Sequence, residues 1–272
     1  MQQRSIAKLI KAVSIGALAP LLVLAAQKHP DPNEEAPTRV RYPEGIVHGF
    51  LLLRTLSGTT LAQGDLLQVA RGDTVEGRIL FRFKDGSIRD ETGTYTQRGV
   101  FLLQSYHLIQ RGPSFEDDLE VWMDGATGRY RVKSKAHKDG DEELEEGTLE
   151  LPRNTYNGLV LTILKNLAKG AVGNIHIVAF MPKPRIVRVE VQPAGEQKLL
   201  LEDLQKAAIH YVLKPRLGTF TTLFAKVLGK MPPDNHAWIL TGEIPTFVRF
   251  EGPLYPDGPI RRIEQTTLSW PP

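Results

Sequence analysis

From Ile46 to Leu151 apolar and polar residues alternate with period two, and Gly- and Asp-rich turns punctuate the alternation. Ile79, Phe81 and Phe83 point one way while Leu80, Arg82 and Lys84 point the other, and Asp85–Gly86 follows as a hairpin turn. Leu119, Val121 and Met123 alternate again and stop at Asp124–Gly125. Tyr130 and Val132 oppose Arg129, Arg131 and Lys133, with a turn at Asp139–Gly140, and Leu149 and Leu151 face away from Thr148 and Glu150. Strands at this spacing, joined by tight turns, predict an antiparallel meander.

The period then changes. Tyr156, Leu159, Val160, Ile163, Leu164 and Leu167 recur at three and four, which predicts an amphipathic helix over 155–168 with Asn154 as its N-cap. Strands resume at 175–180, 185–191 and 207–213. A second helical stripe runs through Phe220, Leu223, Phe224, Val227 and Leu228, and strands at 238–241, 246–251 and 260–266 close the chain. The expected fold is mainly β (α+β): a large curved antiparallel sheet or incomplete β-barrel with two amphipathic helices on its concave face.

Residues 1–26 are patterned differently. Arg4, Lys8 and Lys11 precede an uncharged run from Ala12 to Ala26, with Val23 and Ala25 where a signal peptidase reads. This is the layout of a secretory signal peptide cleaved near Ala25–Ala26, and it implies a periplasmic or secreted protein. The apolar run is shorter than the roughly 20 residues of a membrane-spanning helix, and no later segment reaches that length. Residues 27–44, rich in proline and charge, read as a disordered linker, which leaves 45–272 as one β-rich domain.

Charge and composition narrow the chemistry. The chain has 34 Lys+Arg and 31 Asp+Glu, and the excess resides in Arg4, Lys8 and Lys11, so the remainder has no electrostatic footprint for nucleic acid. It has no cysteine, which excludes disulfides, thiolate metal sites, cysteine nucleophiles and a lipidated anchor. None of the seven histidines stands at a metal-pair spacing, and neither a nucleophile elbow nor a phosphate-cradling loop is present. No cofactor and no metal is expected.

The run Gly229-Lys230-Met231-Pro232-Pro233-Asp234, then Phe247-Val248-Arg249-Phe250-Glu251-Gly252-Pro253, Gly258-Pro259-Ile260-Arg261-Arg262-Ile263-Glu264 and Ser269-Trp270-Pro271, resembles an uncharacterised family of exported bacterial β-rich proteins. Gly77-Arg78-Ile79-Leu80-Phe81-Arg82-Phe83 and the Glu91-Thr92 step belong to the same likeness. That resemblance implies a domain of unknown function and carries no catalytic residues with it. In architecture alone, the expected fold is similar to periplasmic lipoprotein carriers of the Lol type, from which the chain departs in its greater length and in lacking a lipobox.

Three functions follow from these patterns. The first is a non-enzymatic binder or carrier of an apolar ligand, lipid or acyl chain, lined by Phe81, Phe83, Leu159, Ile163, Phe220, Leu223 and Phe224 on the apolar faces. The second is an envelope hydrolase using Asp90, Glu91 and His107 as acid–base groups, a reading with no identifiable third group. The third is an adaptor that offers a sheet edge to an envelope protein partner, recognisable by a long uncovered edge strand. The balance of signals is against an enzyme.

Overall fold

The computed structural model describes residues 36–137, 140–169, 171–201, 204–216 and 232–266. Period-two alternation gives the chain eight successive strands: β1 (Val47–Arg54), β2 (Thr60–Arg71), β3 (Thr74–Phe83), β4 (Ile88–Thr96), β5 (Leu102–Arg111), β6 (Asp117–Asp124), β7 (Arg129–Ala136) and β8 (Glu142–Thr148). A short helix α1 (Val160–Asn166) follows. Then come β9 (Gly173–Ala179), β10 (Arg185–Leu201), β11 (Leu204–Arg216), β12 (Asn235–Leu240), β13 (Thr246–Pro253) and β14 (Ile260–Thr266).

All 14 strands join one antiparallel sheet in the order β8-β7-β6-β5-β4-β3-β2-β1-β14-β13-β12-β11-β10-β9. The first and last strands pair in the middle, Leu52 opposite Glu264 and Arg54 opposite Arg262. The sheet does not close, and its two free ends are β8 and β9. It curls, because side chains from distant strands meet on its inner face. Tyr106 of β5 stacks on Phe180 just beyond β9 with ring centroids 5.8 Å apart, and Phe115 meets Tyr255 edge-on at 5.8 Å. Odd-numbered residues of β3 and β4 and even-numbered residues of β5 face inward, so Val75, Phe81, Tyr95, Tyr106 and Leu108 enter one core with Leu159, Ile163, Val191 and Tyr211.

Two expectations are corrected, and a third lies outside the described residues. The predicted helix over 155–168 shrinks to α1, and Asn154 is not its N-cap: Leu159 takes that position with no side-chain cap. Asn154 instead spends its side chain on the Asn174 carbonyl (2.9 Å) and on His176 Nδ1 (2.7 Å). The second predicted helix, with Phe220, Leu223 and Phe224, lies outside the described residues, among which α1 is the one helix. Residues 36–44 are not a free linker. The amide of Val40 donates to Gly99, that of Phe101 to Thr38, and that of Thr38 to the Tyr156 hydroxyl. Asn166 Oδ1 accepts from both Arg41 and Tyr42 amides at 2.8 Å. The Glu44 carboxylate is buried on Lys165 (2.7 Å) and accepts from Gln68 (2.7 Å). A proline-rich strap with little apolar surface is thus held by backbone amides and by Glu44, which find partners in the rest of the chain.

The β9 end of the sheet is capped. His176 donates its amide to Asn154, Tyr156 donates back to His176, and the side-chain amide of Asn157 bonds both the N–H (2.8 Å) and the C=O (2.9 Å) of Val178. Segment 154–158 in turn lies on β4, where a Cβ on Gly93 would come within 3.3 Å of the Asn157 carbonyl. The chain therefore needs a glycine there for the cap to seat.

Candidate functional site

The opposite end is built otherwise. β7 buries Val132 and half-buries Tyr130, and it turns Arg129, Arg131 and Lys133 outward. β8 reads Glu-Glu-Leu-Glu-Glu-Gly-Thr, and its register partner is β7 alone. Charge holds this pairing: Glu142 lies 2.8 Å from Lys133 and Glu146 3.4 Å from Arg131, while the Tyr130 hydroxyl donates to Glu145 at 3.3 Å. The Lys133 ammonium holds the Glu142 carboxyl below the usual carboxylate range. A Cβ on Gly147 would meet the Tyr130 hydroxyl at 2.5 Å, so a larger residue there would displace the Tyr130 ring. Glu143 has no ion-pair partner among the described residues, and Leu144 is 53% exposed.

Register fixes which backbone groups are free. The Leu149 amide donates to the Gly128 carbonyl at 3.0 Å. Hydrogen-bonded and non-bonded pairs alternate along an antiparallel ladder. Gly147, Glu145 and Glu143 therefore turn their N–H and C=O to β7, and Glu142, Leu144, Glu146 and Thr148 turn theirs away from the sheet.

An open groove of about 800 Å³ on the outer face runs up to this edge. Its floor is one register row, Thr92, His107, Trp122, Arg131 and Glu146, from β4 to β8. His107 stacks on Trp122 with centroids 5.1 Å apart, and the Arg131 guanidinium lies 5.6 Å from the indole centre. Each face of the indole is thus covered by a neighbour that favours a π-surface.

The acid–base candidates do not converge. Asp90 faces outward and accepts from Arg78 Nε at 2.7 Å. Glu91, one residue on, faces inward, where the buried Tyr106 hydroxyl donates to it at 3.0 Å and Arg89 at 3.3 Å. Burial, and then the Glu91 charge, push the Tyr106 phenol well above its ordinary value. His107 is on the outer face, 3.5 Å from Glu120. Strand alternation separates the two carboxylates, so the three side chains lack the shared hydrogen-bond reach that acid–base chemistry needs. Among the described residues no three His, Asp or Glu side chains are grouped to hold a metal ion.

Of the apolar candidates, Phe81, Leu159 and Ile163 are at most 2% exposed and pack in the main core, and Phe83 packs edge-on against Phe115 at 5.3 Å. None of these four lines the outer groove or the second cleft, which opens beside α1. Phe220, Leu223 and Phe224 lie outside the described residues.

One cluster escaped the sequence reading. His210 and His236 meet across β11 and β12, Nε2 to Nδ1 at 2.9 Å, and His210 stacks on Trp238 at 4.5 Å. Trp238 Nε1 donates to Gln197 Oε1 at 2.8 Å, which leaves the Gln197 amide nitrogen to approach His210 Nδ1 at 3.4 Å. Burial, and then His236, lower the affinity of His210 for a proton.

Fold and site together define an open, single-sheet β protein with one end capped and the other without a neighbouring strand among the described residues. No protein-family model and no curated protein matches the chain. Among solved structures it is similar to a β-barrel-like protein of domain of unknown function DUF1849 from Brucella abortus, with 9% identity and a TM-score of 0.46 over 85% of this chain and 100% of that one. Among the described residues no helix is long and apolar enough to cross a membrane.

Proposed function

We propose that this chain is exported and works in the bacterial envelope as a non-enzymatic adaptor, which captures an extended, basic segment of a partner protein along β8. One observation carries the reading: the outward N–H and C=O groups of β8 have no strand beside them among the described residues, whereas β9 at the other end is capped. Adding a strand to such an edge gives each backbone group a partner, and alternate side chains set the specificity. Asp141, Glu142, Glu143, Glu145 and Glu146 surround those groups, so lysines and arginines are the complementary side chains. The same acidity discourages a second copy of the chain, because like charges directly opposite destabilise a strand pair. It also guards the edge against indiscriminate sheet pairing. The outer groove beside β8 gives the partner's outward side chains a wall of Trp122, Arg131 and Glu146. Export rests on the pattern of residues 1–26.

An apolar ligand held inside is favoured less. Phe81, Leu159 and Ile163 already pack against one another and their neighbours in the core.

The test uses a seven-residue probe of alternating lysine and valine, matched to the length of β8, titrated into the full chain by fluorescence anisotropy. Binding is expected, weakening as salt rises. Leu144→Pro, which removes an outward N–H and no ladder bond to β7, is expected to weaken it roughly tenfold or more while circular dichroism stays unchanged. Equal binding by that variant, or by a glutamate–valine probe, would contradict the reading.

A further inference from the structure

The cleft beside α1 is separate from the β8 edge and has a different chemistry. About 350 Å³ in volume, it opens between the strap 36–44, the end of α1 and the start of β9. Arg39 and Arg41, two residues apart on the strap, both line it. Their guanidiniums are exposed and have no hydrogen-bond or ion-pair partner among the described residues. Among the described residues no carboxylate lines the cleft. The nearby acids are engaged: Glu44 holds Lys165 at 2.7 Å, and Glu196 lies 3.3 Å from Lys169.

The strap is not loose at this point. Asn166 Oδ1 accepts the amides of both Arg41 and Tyr42, so the base of Arg41 is fixed at the cleft wall. Asn174 adds a third donor. Its Oδ1 accepts from Arg188 at 3.3 Å, and its side-chain nitrogen has no hydrogen-bond partner among the described residues. Thr38 and Asn166 also line it, Leu167 and Ile175 give it an apolar side, and Val172 stands 67% exposed at the rim. A large aliphatic side chain left in water beside two unpaired cations leaves apolar area to be covered and positive charge to be neutralised.

We infer that this cleft binds an anionic amphiphile: an oxyanion head, phosphate or carboxylate, held by Arg39, Arg41 and Asn174, with a short alkyl portion lying on Leu167 and Val172. Guanidiniums suit such heads because their planar fork matches two oxygens at once. The volume is near the lower end for small-molecule sites, so it takes the head and the first few carbons and leaves a longer chain outside. The site is independent of strand addition at β8, and either can fail without the other.

Isothermal titration of the purified full chain with octyl phosphate, inorganic phosphate and octanol tests the assignment. Octyl phosphate should bind, and the other two should bind at least roughly tenfold more weakly, because each lacks one half of the recognition. The double variant Arg39→Gln/Arg41→Gln changes two exposed side chains and should keep the wild-type melting temperature while losing roughly tenfold or more in octyl phosphate affinity. Val172→Asp should weaken the same ligand by placing a carboxylate at the rim. The inference is overturned by any of three results: no heat with octyl phosphate up to about 1 mM, equal affinity in the double variant, or inorganic phosphate or octanol binding as tightly as octyl phosphate.

Discussion

The two ends of the sheet solve one physical problem in opposite ways. Every terminal strand presents a row of unpaired backbone groups to solvent. At β9 the chain covers them itself, with the carbonyl of Asn154 on the His176 amide and the Asn157 side chain on both backbone groups of Val178. At β8 it leaves them uncovered among the described residues and surrounds them with glutamates. The capped end is buried, neutral at its contacts and locked to β4 through Gly93, and the bare end is solvated and acidic. Coverage at one end and charge at the other both prevent uncontrolled pairing, and only the second leaves a sheet edge available to a chosen partner.

Breaking the cap should have the largest effect. Asn157→Leu leaves the N–H and C=O of Val178 buried without partners, a cost of about 3 kcal/mol, seen as a lower midpoint in urea. It also loosens the cover over β9, an edge without glutamates, so concentration-dependent aggregation should rise by light scattering. Glu44→Gln sharpens the comparison from the strap side. It removes the charge facing half-buried Lys165 but keeps an acceptor for Gln68, and should cost about 2 kcal/mol in the same assay. Leu144→Pro at the bare end should cost under about 1 kcal/mol, since its N–H points to solvent, while abolishing most probe binding. The smallest effect concerns pH. His210 resists protonation in the fold because of its burial and of His236, against an ordinary value of 6.5, with Glu251 acting in the other direction. The unfolded chain therefore takes up the proton first, and stability falls as pH drops below about 6.5. Gln197, His236 and Trp238 surround the His210 imidazole. His210→Gln should flatten the melting-temperature profile between about pH 7 and 5.

The sheet itself was legible because an inner face must be buried. Phe81 and Phe83, Leu119, Val121 and Met123, and Val187 and Val189 announce their strands by alternation. β8 was not legible for the complementary reason. A terminal strand with glutamates on both faces has no apolar period, so the strand read at Leu149 and Leu151 was placed just beyond the real one. The helix was overestimated because residues 154–159 have helical spacing but spend their polar groups on β9, a tertiary preference that outweighs local periodicity. The strap 36–44 looked like a linker because its anchors, the Tyr156 hydroxyl and the Asn166 and Gln97 amides, are far away in sequence. Asp90, Glu91 and His107 were chosen by type and proximity, and strand alternation divided them. The His210–His236 pair depends on the register between β11 and β12, which no spacing along the chain reveals.

Residue-resolved amide hydrogen exchange on the full chain tests the contrast between the two ends most directly. The account predicts slow exchange for the His176 and Val178 amides and near-unprotected exchange for Leu144 and Glu146, with the latter two slowing when the lysine–valine probe is added. Leu144 and Glu146 amides as protected as Val178 in the free protein would show that the β8 edge is already covered, and would contradict the account.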